Sequence, residues 1–514
     1  MRRYIIMLMA LLVCAGLFAQ GEMDAIRLSD GDLRGTARGQ AMAGAFGALG
    51  GDVTGIMINP AGLGVYRSSE VNATMALNSA HLKTDWQNTF NRERTVKFNF
   101  DNISYIGYYP TGNMSVPVLN FAFTYNRLKN FNRRYSASGQ GMQPSLTAYI
   151  AAITKGVYYN DMNMDEGNRY DPYANPAIPW LSTLGWLGFL INDVSDNSYS
   201  GLFPDATVSP RLNVNEQGCI ESYDFSLGTN FSDKFYLGMT FALTDISYVM
   251  NSSYGEEFSS GGTVGLSNSF KTEGAGFQFV FGGIYRPFDF LRLGIAYHSP
   301  VLYSLEDYYQ GHTTANYPGA SSEWAKTPDN ALTRYRFNTP GKWVFSTAGI
   351  IGTKAIVSLD YEVKNYGHMY LMDPEGLPKK DANKYIDEDF KVASTFRAGL
   401  EYRLTPQFSA RVGYSYAQNP YEQQFQAGKK EAMIVGTVPH YTIDGDVRYI
   451  TGGIGYRFTP NFYIDATLVY RTQKDDFYYF PSVIRPEGGF EVHSLPGSLT
   501  NTNYKVLVTA GYKF

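Results

Sequence analysis

Few side chains in this 514-residue chain are spaced for catalysis. The six His stand at positions 81, 298, 312, 368, 440 and 493, and no pair has the spacing of a helical zinc site. Nothing singles out His298 or a loop His as a haem ligand. Gly44-x-x-Gly47-x-x-Gly50 follows no strand, so it is not a dinucleotide fingerprint. Asp373, Glu375, Asp381, Asp387, Glu388 and Asp389 form an acidic loop, for which solvation is a plainer reading than calcium binding. No enzymatic activity, no metal site and no cofactor is expected. What remains points to binding. Arg397, Arg411 and Arg471 are charges whose burial would orient a ligand carboxylate. For Arg411 a structural ion pair with Glu401 is the plainer alternative. Ala177–Ile191 (AIPWLSTLGWLGFLI) is uncharged and carries Trp180, Leu184, Trp186 and Phe189. Such a segment either packs on the rim of its scaffold, dips among lipid headgroups, or forms a groove that captures a hydrophobic ligand. These readings stay open.

The scaffold that would hold these groups is announced at the two ends of the chain. Arg2 and Arg3 precede an apolar run from Tyr4 to Phe18, closed by Ala19 and Gln20. A basic start, a short apolar core and a small residue at the cut site make a secretory signal over 1–19, cleaved after Ala19 or Gln20. The rival, lipidation at Cys14, wants small residues where Leu12-Val13 stand. At the other end Tyr504, Val506, Val508, Ala510, Tyr512 and Phe514 alternate with Asn503, Lys505, Leu507, Thr509, Gly511 and Lys513. That is a strand with one face in lipid and one in a wetter lumen, ending in a carboxyl-terminal Phe. Aromatics make up 15% of the chain and Gly numbers 52, as aromatic girdles and close backbone approaches require. Mean hydropathy is -0.25 and no later apolar run is long enough for a spanning helix. Net charge is -4, so no nucleic-acid surface is implied. Without Cys14, Cys219 has no intrachain partner.

Between the ends the alternation recurs. Strands are predicted over Ser69–His81, Thr95–Tyr109, Pro117–Leu128, Ile220–Phe231, Lys234–Val249, Asn268–Arg286 and Leu291–Tyr303. They continue over Ala331–Ile351, Lys354–Lys364, Lys391–Leu404, Gln407–Ala417, Gly445–Phe458, Asn461–Thr472 and Asn503–Phe514. Tight turns at 232–234, 287–289, 352–354, 405–407 and 459–461 alternate with long connections, of which 129–219 is the longest. Short turns at one rim and long loops at the other fit an all-β, antiparallel transmembrane barrel of about fourteen strands over 68–514, with 129–219 as an extracellular insertion. Pro144–Tyr158 reads as a short helix in that insertion. Pairing Leu404 with Phe408 across the 405–407 turn puts Glu401 opposite Arg411. Arg397, Glu401 and Arg411 then face inward and Phe396, Leu400, Val412 and Tyr414 outward. Charge at mid-bilayer costs about 2–4 kcal/mol, so this is the hand that lipid demands.

Residues 34–66 differ. They are rich in Gly and Ala, alternate weakly and carry few charges after Arg38. Small residues permit backbone-on-backbone packing, and 20–67 reads as a leader followed by a plug inside the lumen. Ala41-Met42-Ala43-Gly44-Ala45-Phe46, Gly51-Asp52 and Asn59-Pro60-Ala61-Gly62-Leu63 resemble the start of the FadL family of hydrophobic-compound transporters. Thr339-Pro340-Gly341-Lys342-Trp343 and Leu359-Asp360-Tyr361 are weaker echoes. The resemblance implies a fourteen-stranded barrel with an N-terminal hatch. It also implies passive uptake of hydrophobic molecules such as long-chain fatty acids, with the ligand passing Phe46 and Asn59–Gly62. It resembles the Bacteroidetes-type members, which are often labelled haemin receptors and include a component of protein secretion. A secretion or surface-assembly barrel with a protein partner is therefore the rival reading. Expected partners are a hydrophobic small molecule and outer-membrane lipids, with a single-chain barrel working alone in the outer membrane of a Gram-negative bacterium.

Overall fold

In the computed structural model, residues 21–164, 170–329, 331–434 and 436–514 are described. The expected signal peptide over 1–19 lies outside them. Fourteen wall strands run in order: β1 Glu70–Trp86, β2 Thr89–Gly107, β3 Leu119–Asn130, β4 Val208–Phe231, β5 Phe235–Phe258, β6 Thr263–Phe288 and β7 Leu291–His298. The second half is β8 Lys342–Ile351, β9 Ala355–Asn365, β10 Val392–Arg403, β11 Phe408–Ala417, β12 Val447–Arg457, β13 Phe462–Tyr478 and β14 Gly497–Lys513. Each pairs antiparallel with its neighbour, and β14 closes on β1 with Lys513 opposite Glu70. Closure gives each wall strand a paired neighbour on both sides over at least part of its length.

Outward side chains set the membrane band. Along β5, Phe235, Leu237, Met239 and Leu243 point out, whereas Tyr236, Thr240 and Ala242 are buried. Glu401 pairs with Arg411 as the turn register predicts. A spanning strand needs about 9–11 residues, and β4, β5 and β6 have 24, 24 and 26. They therefore project well beyond the band on the long-loop side. Their pattern inverts there. Above Tyr223, Leu243 and Phe277 the apolar residues turn inward, among them Leu212, Val214, Ile246, Tyr248, Leu266 and Phe270. Outward positions become polar.

Two predicted strands are cut. The stretch expected over Leu291–Tyr303 breaks at Ser299-Pro300-Val301, and that expected over Ala331–Ile351 breaks at Thr339-Pro340-Gly341. The ladder stops at His298–Lys342 and resumes at Leu302–Asn338, in strands Leu302–Asn316 and Ala331–Asn338. Proline lacks the N–H that a wall ladder needs. Val301 and Thr339 bridge the gap, the Val301 amide donating to Thr339 Oγ1 at 2.9 Å.

The long connections fold into a roof. Helices α4 Leu146–Thr154 and α5 Trp180–Leu187 lie in the 129–219 insertion, and α6 Lys380–Asp389 in a later loop. Ser145 caps α4, its Oγ accepting from the Ala148 amide at 3.2 Å. The acidic loop is partly neutralised by Lys430, 2.6 Å from Asp389. Among the described residues no group of His, Cys, Asp and Glu is placed to hold a metal ion.

Candidate functional site

Residues 21–66 occupy the lumen. Helix α1 Glu22–Ser29 sits highest, under the roof. Glu22 Oε1 accepts from the Met433 amide at 2.7 Å, and Arg27 lies over the Tyr248 ring at 4.9 Å. The Glu22 carboxyl is fully buried, which pushes its pKa up to about 8. Loop residue His440 is pushed down to about 4 by the same cause. The chain then runs extended through Asp32 and Arg34 to helices α2 Ala37–Ala41 and α3 Val53–Ile58, near the tight-turn rim. There wall threonines hold the α2 backbone. Thr509 Oγ1 accepts from the Ala37 amide at 2.7 Å, and Thr467 and Thr451 donate to the carbonyls of Ala37 and Ala41. Arg38 pairs with Glu401 at 2.8 Å, Glu401 with Arg411 at 2.6 Å, and Arg411 with Asp465 at 2.5 Å.

The Asn-Pro-Ala-Gly turn is the tightest seat. Asn59 Nδ2 donates to the carbonyls of Gly47, Gly283 and Ile295 at 2.8, 3.1 and 3.3 Å, and its Oδ1 accepts from the Ala61 amide at 3.1 Å. The facing wall is glycine. A Cβ at Gly238 would lie 2.3 Å from the Pro60 carbonyl, and one at Gly282 would lie 1.9 Å from Asn59 Oδ1. Only a bare backbone allows this approach. Gly62 packs on Gly50. Phe46 is fully buried, its amide 3.0 Å from Asp360 Oδ2.

Above this seat lies a cavity of about 390 Å³. Its walls mix apolar groups, among them Ile26, Leu28, Leu33, Met57 and Leu128, with ten Lys and Arg against six Asp and Glu. One cluster stands out. Arg34, Lys342, Lys364 and Arg397 gather around Glu362, which takes Lys342 at 3.2 Å and Arg397 Nη2 at 2.9 Å, with Asp30, Asp224 and Asp360 at the margins of the cluster. Arg397 Nη1 is buried with no hydrogen-bond partner among the described residues, and Lys364 Nζ donates to the Ser29 carbonyl and lies 4.4 Å from the Tyr366 ring centre. Arg34 makes no hydrogen bond or ion pair among the described residues, although Asp224 and Glu362 are near enough to oppose the lowering of its pKa by burial.

One wall seam borders the cavity. β2 and β3 pair only from Asn102–Asn126 to Gly107–Phe121, so residues 89–101 of β2 have ladder pairing to β1 alone, and across the seam Arg127 Nη1 donates to Asn99 Oδ1 at 2.6 Å. Asp101 is the bulged residue at the seam's lower end. It pairs with Lys505 and accepts from Gln40 Nε2 at 3.1 Å, so a residue of α2 holds the bulge.

A closed fourteen-strand wall, filled by its own N-terminal segment, is thus in place. Residues 226–506 match the family of outer membrane transport proteins described as OMPP1/FadL/TodX. The chain belongs to that family. This outer-membrane transport protein accordingly resides in the outer membrane of a Gram-negative bacterium. Its fold is shared with a FadL homologue of Pseudomonas aeruginosa, at 14% identity over 93% of this chain and 98% of that one, with a TM-score of 0.51. It is also shared with the toluene transporter TodX of Pseudomonas putida, at 14% identity over 94% and 99%, with a TM-score of 0.50. No curated protein sequence matches it.

In this FadL-family barrel the residues expected from sequence separate into three groups. Phe46, Asn59, Pro60, Ala61 and Gly62 are all buried in the plug and outside the cavity lining. Arg411 is saturated by Glu401 and Asp465, so of the three candidate arginines Arg397 and Arg471 line the cavity and Arg411 does not. Trp180, Leu184 and Trp186 belong to α5 and pack into the roof. Leu184 is fully buried, Trp180 Nε1 donates to the Tyr173 carbonyl at 2.8 Å and Trp186 Nε1 to Asn163 Oδ1 at 2.9 Å. Phe189 alone of the four points out, 55% exposed. The sequence reading missed Arg34, Lys342, Glu362 and Lys364. Period-two polarity through Ser358, Asp360, Glu362 and Lys364 marks the inner face of β9 and carried that signal.

Proposed function

We propose that this protein passively takes up an amphipathic molecule with an acidic head and an apolar body, long-chain fatty acids being the fitting class. The observation that carries the reading is the cluster of Arg34, Lys342, Lys364 and Arg397 about Glu362, inside a partly apolar cavity whose lining has ten Lys and Arg against six Asp and Glu. Each buried methylene gains about 0.8 kcal/mol, so a long chain supplies ample driving force without an energy source. The unpartnered Arg397 Nη1 and the unpaired Arg34 are sites where a carboxylate would restore lost hydrogen bonds. TodX is named a toluene transporter, a neutral ligand that needs no such cluster. A lumen filled by residues 21–66 disfavours the rival secretion role, which wants an open passage.

Entry is at the roof, with the Trp180–Phe189 segment as the capture element once the roof parts. Exit is through the β2–β3 seam, where no ladder hydrogen bonds need to break above Asn102. The plug at Asn59–Gly62 stays seated and closes the direct axial path. The test is uptake of radiolabelled palmitate and toluene by cells whose own channels of this class are deleted. Expression is expected to restore palmitate uptake more than toluene uptake. Equal restoration of both, or of neither, would sink the acidic-head reading.

A further inference from the structure

A second, smaller space adjoins the cationic cavity. It is a recess of about 20 Å³, room for one water molecule or one hydroxyl. Arg34, Met57, Leu128, Gln278 and His298 line both spaces. Arg34 belongs to the cluster around Glu362, and His298 faces Lys342 across the β7–β8 ladder, so the two spaces meet at that cluster. The recess is backed by the inner faces of β4 and β5. Ser222 pairs with Thr244 there and Asp224 with Ala242, and all four side chains are buried, as alternation along a wall strand requires. Its acceptors are left over. Asp224 Oδ2 takes Asn126 Nδ2 at 2.8 Å and Thr124 Oγ1 at 3.4 Å, both from β3. Asp224 Oδ1 and Thr244 Oγ1 are buried without a hydrogen-bond partner among the described residues. Ser222 lies near the first and Tyr303 near the second without closing a bond.

We infer that this recess is a hydroxyl subsite, and that the molecule carried is a 2- or 3-hydroxy fatty acid. The inference rests on the acidic-head reading above. A bare buried acceptor costs as much as a lost hydrogen bond, so a donor belongs in the recess. Charge narrows the donor, because Arg34 and Lys342 already crowd this end and a further cation would be repelled. Size narrows it again. An amide N–H brings carbon on both sides, whereas a hydroxyl ends in its own proton and needs no more room than water. Position decides between a structural water and a ligand group. The recess adjoins the cluster that would seat the carboxylate, so a hydroxyl one or two carbons from the head reaches it. That hydroxyl donates to Asp224 Oδ1 and can accept from Thr244 Oγ1. The chain beyond it lies along the apolar side of the cavity, at Ile26, Leu28 and Leu33. In the empty protein one water serves in its place, and the ligand hydroxyl displaces it while restoring the same bonds.

The test is isothermal titration of the purified full chain with palmitate, methyl palmitate, and 2-, 3- and 16-hydroxypalmitate. The better of the 2- and 3-hydroxy acids should bind about tenfold tighter than palmitate, the effect of one hydrogen bond to a charged acceptor. The 16-hydroxy acid should gain nothing, since its hydroxyl lies at the far end of the chain. Ala242→Val fills the recess and should erase the gain while leaving palmitate affinity unchanged. If that variant fails to fold, Thr244→Val keeps the shape, removes one partner and should cut the gain several-fold. Equal affinity for palmitate and both 2- and 3-hydroxy acids overturns the inference and leaves the recess a water site only. So does a gain that survives Ala242→Val, or one that 16-hydroxypalmitate shares. If palmitate binds no tighter than its methyl ester, the acidic-head reading fails first and carries this inference down with it.

Discussion

The glycine wall against the plug gives a worked prediction. Replacing Gly238 and Gly282 together with Ala places methyl groups 2.3 Å from the Pro60 carbonyl and 1.9 Å from Asn59 Oδ1, where ordinary contact begins at 3.4 Å. The Asn59–Ala61 turn must retreat by about an ångström, and overpacking of this kind costs about 1–3 kcal/mol. That retreat also lengthens the Asn59 bonds to the Gly283 and Ile295 carbonyls, at about 1 kcal/mol each. Together these shift the plug toward an unseated state by about 3–5 kcal/mol, or roughly two to four powers of ten in population. The barrel itself should survive, because both methyl groups point into the lumen and break no ladder bond. Hydrogen exchange over residues 53–66 should rise steeply, single-channel conductance should appear, and heat-modifiable gel mobility should stay as in the natural chain. Gly349→Ala is the control, since a Cβ there meets nothing within 4 Å. If exchange over 53–66 and conductance both match the natural chain, the seat is not held by this fit.

Further outcomes follow from the site. Arg397→Gln should weaken binding of a fatty acid about 10- to 100-fold, as loss of a charge-assisted hydrogen bond implies, and leave its methyl ester unaffected; isothermal titration reads the difference. Docking of α1 should depend on pH. Glu22, with its pKa raised from 4.5 to about 8, keeps a proton in the folded state that the unfolded state sheds, so the helix loosens as pH climbs from about 4.5 to 8. His440, lowered from 6.5 to about 4, works oppositely, and the roof loosens as pH falls from about 6.5 to 4. Exchange over 22–29 should therefore rise at pH 9 and lose that rise in Glu22→Gln. Gln40→Ala should release the Asp101 bulge and raise exchange over 96–101 without altering exchange in β5. Deleting Ala177–Ile191 should cut palmitate uptake by cells while purified protein still binds the ligand; unchanged uptake would remove the capture role.

The membrane half of this fold was legible because lipid imposes one rule, apolar out, and tight turns fix where it starts. Glu401 opposite Arg411 followed from the Thr405-Pro406-Gln407 turn alone. The projecting half was not, because the rule inverts at the membrane boundary. Strands expected to end at Ile220, Val249 and Asn268 continue to Val208, Phe258 and Thr263 with polar residues outside and apolar ones within. The prolines at 300 and 340 stand in plain view in the sequence, but apolar neighbours on both sides masked the breaks. The plug was visible through its small residues, whereas its partner glycines 238 and 282 are scattered over two strands and meet only in three dimensions. Arg34 looked like part of a polar leader, and its place beside Glu362 depends on 30–36 running extended through the lumen.

The account turns on the cationic cavity, and the measurement that addresses it most directly is equilibrium binding of palmitate and of methyl palmitate to the purified barrel. Palmitate should bind saturably, one per chain and at least about tenfold tighter than its ester, with the difference erased by Arg34→Gln combined with Arg397→Gln. Equal affinity for acid and ester, or a difference that survives the double substitution, would contradict it.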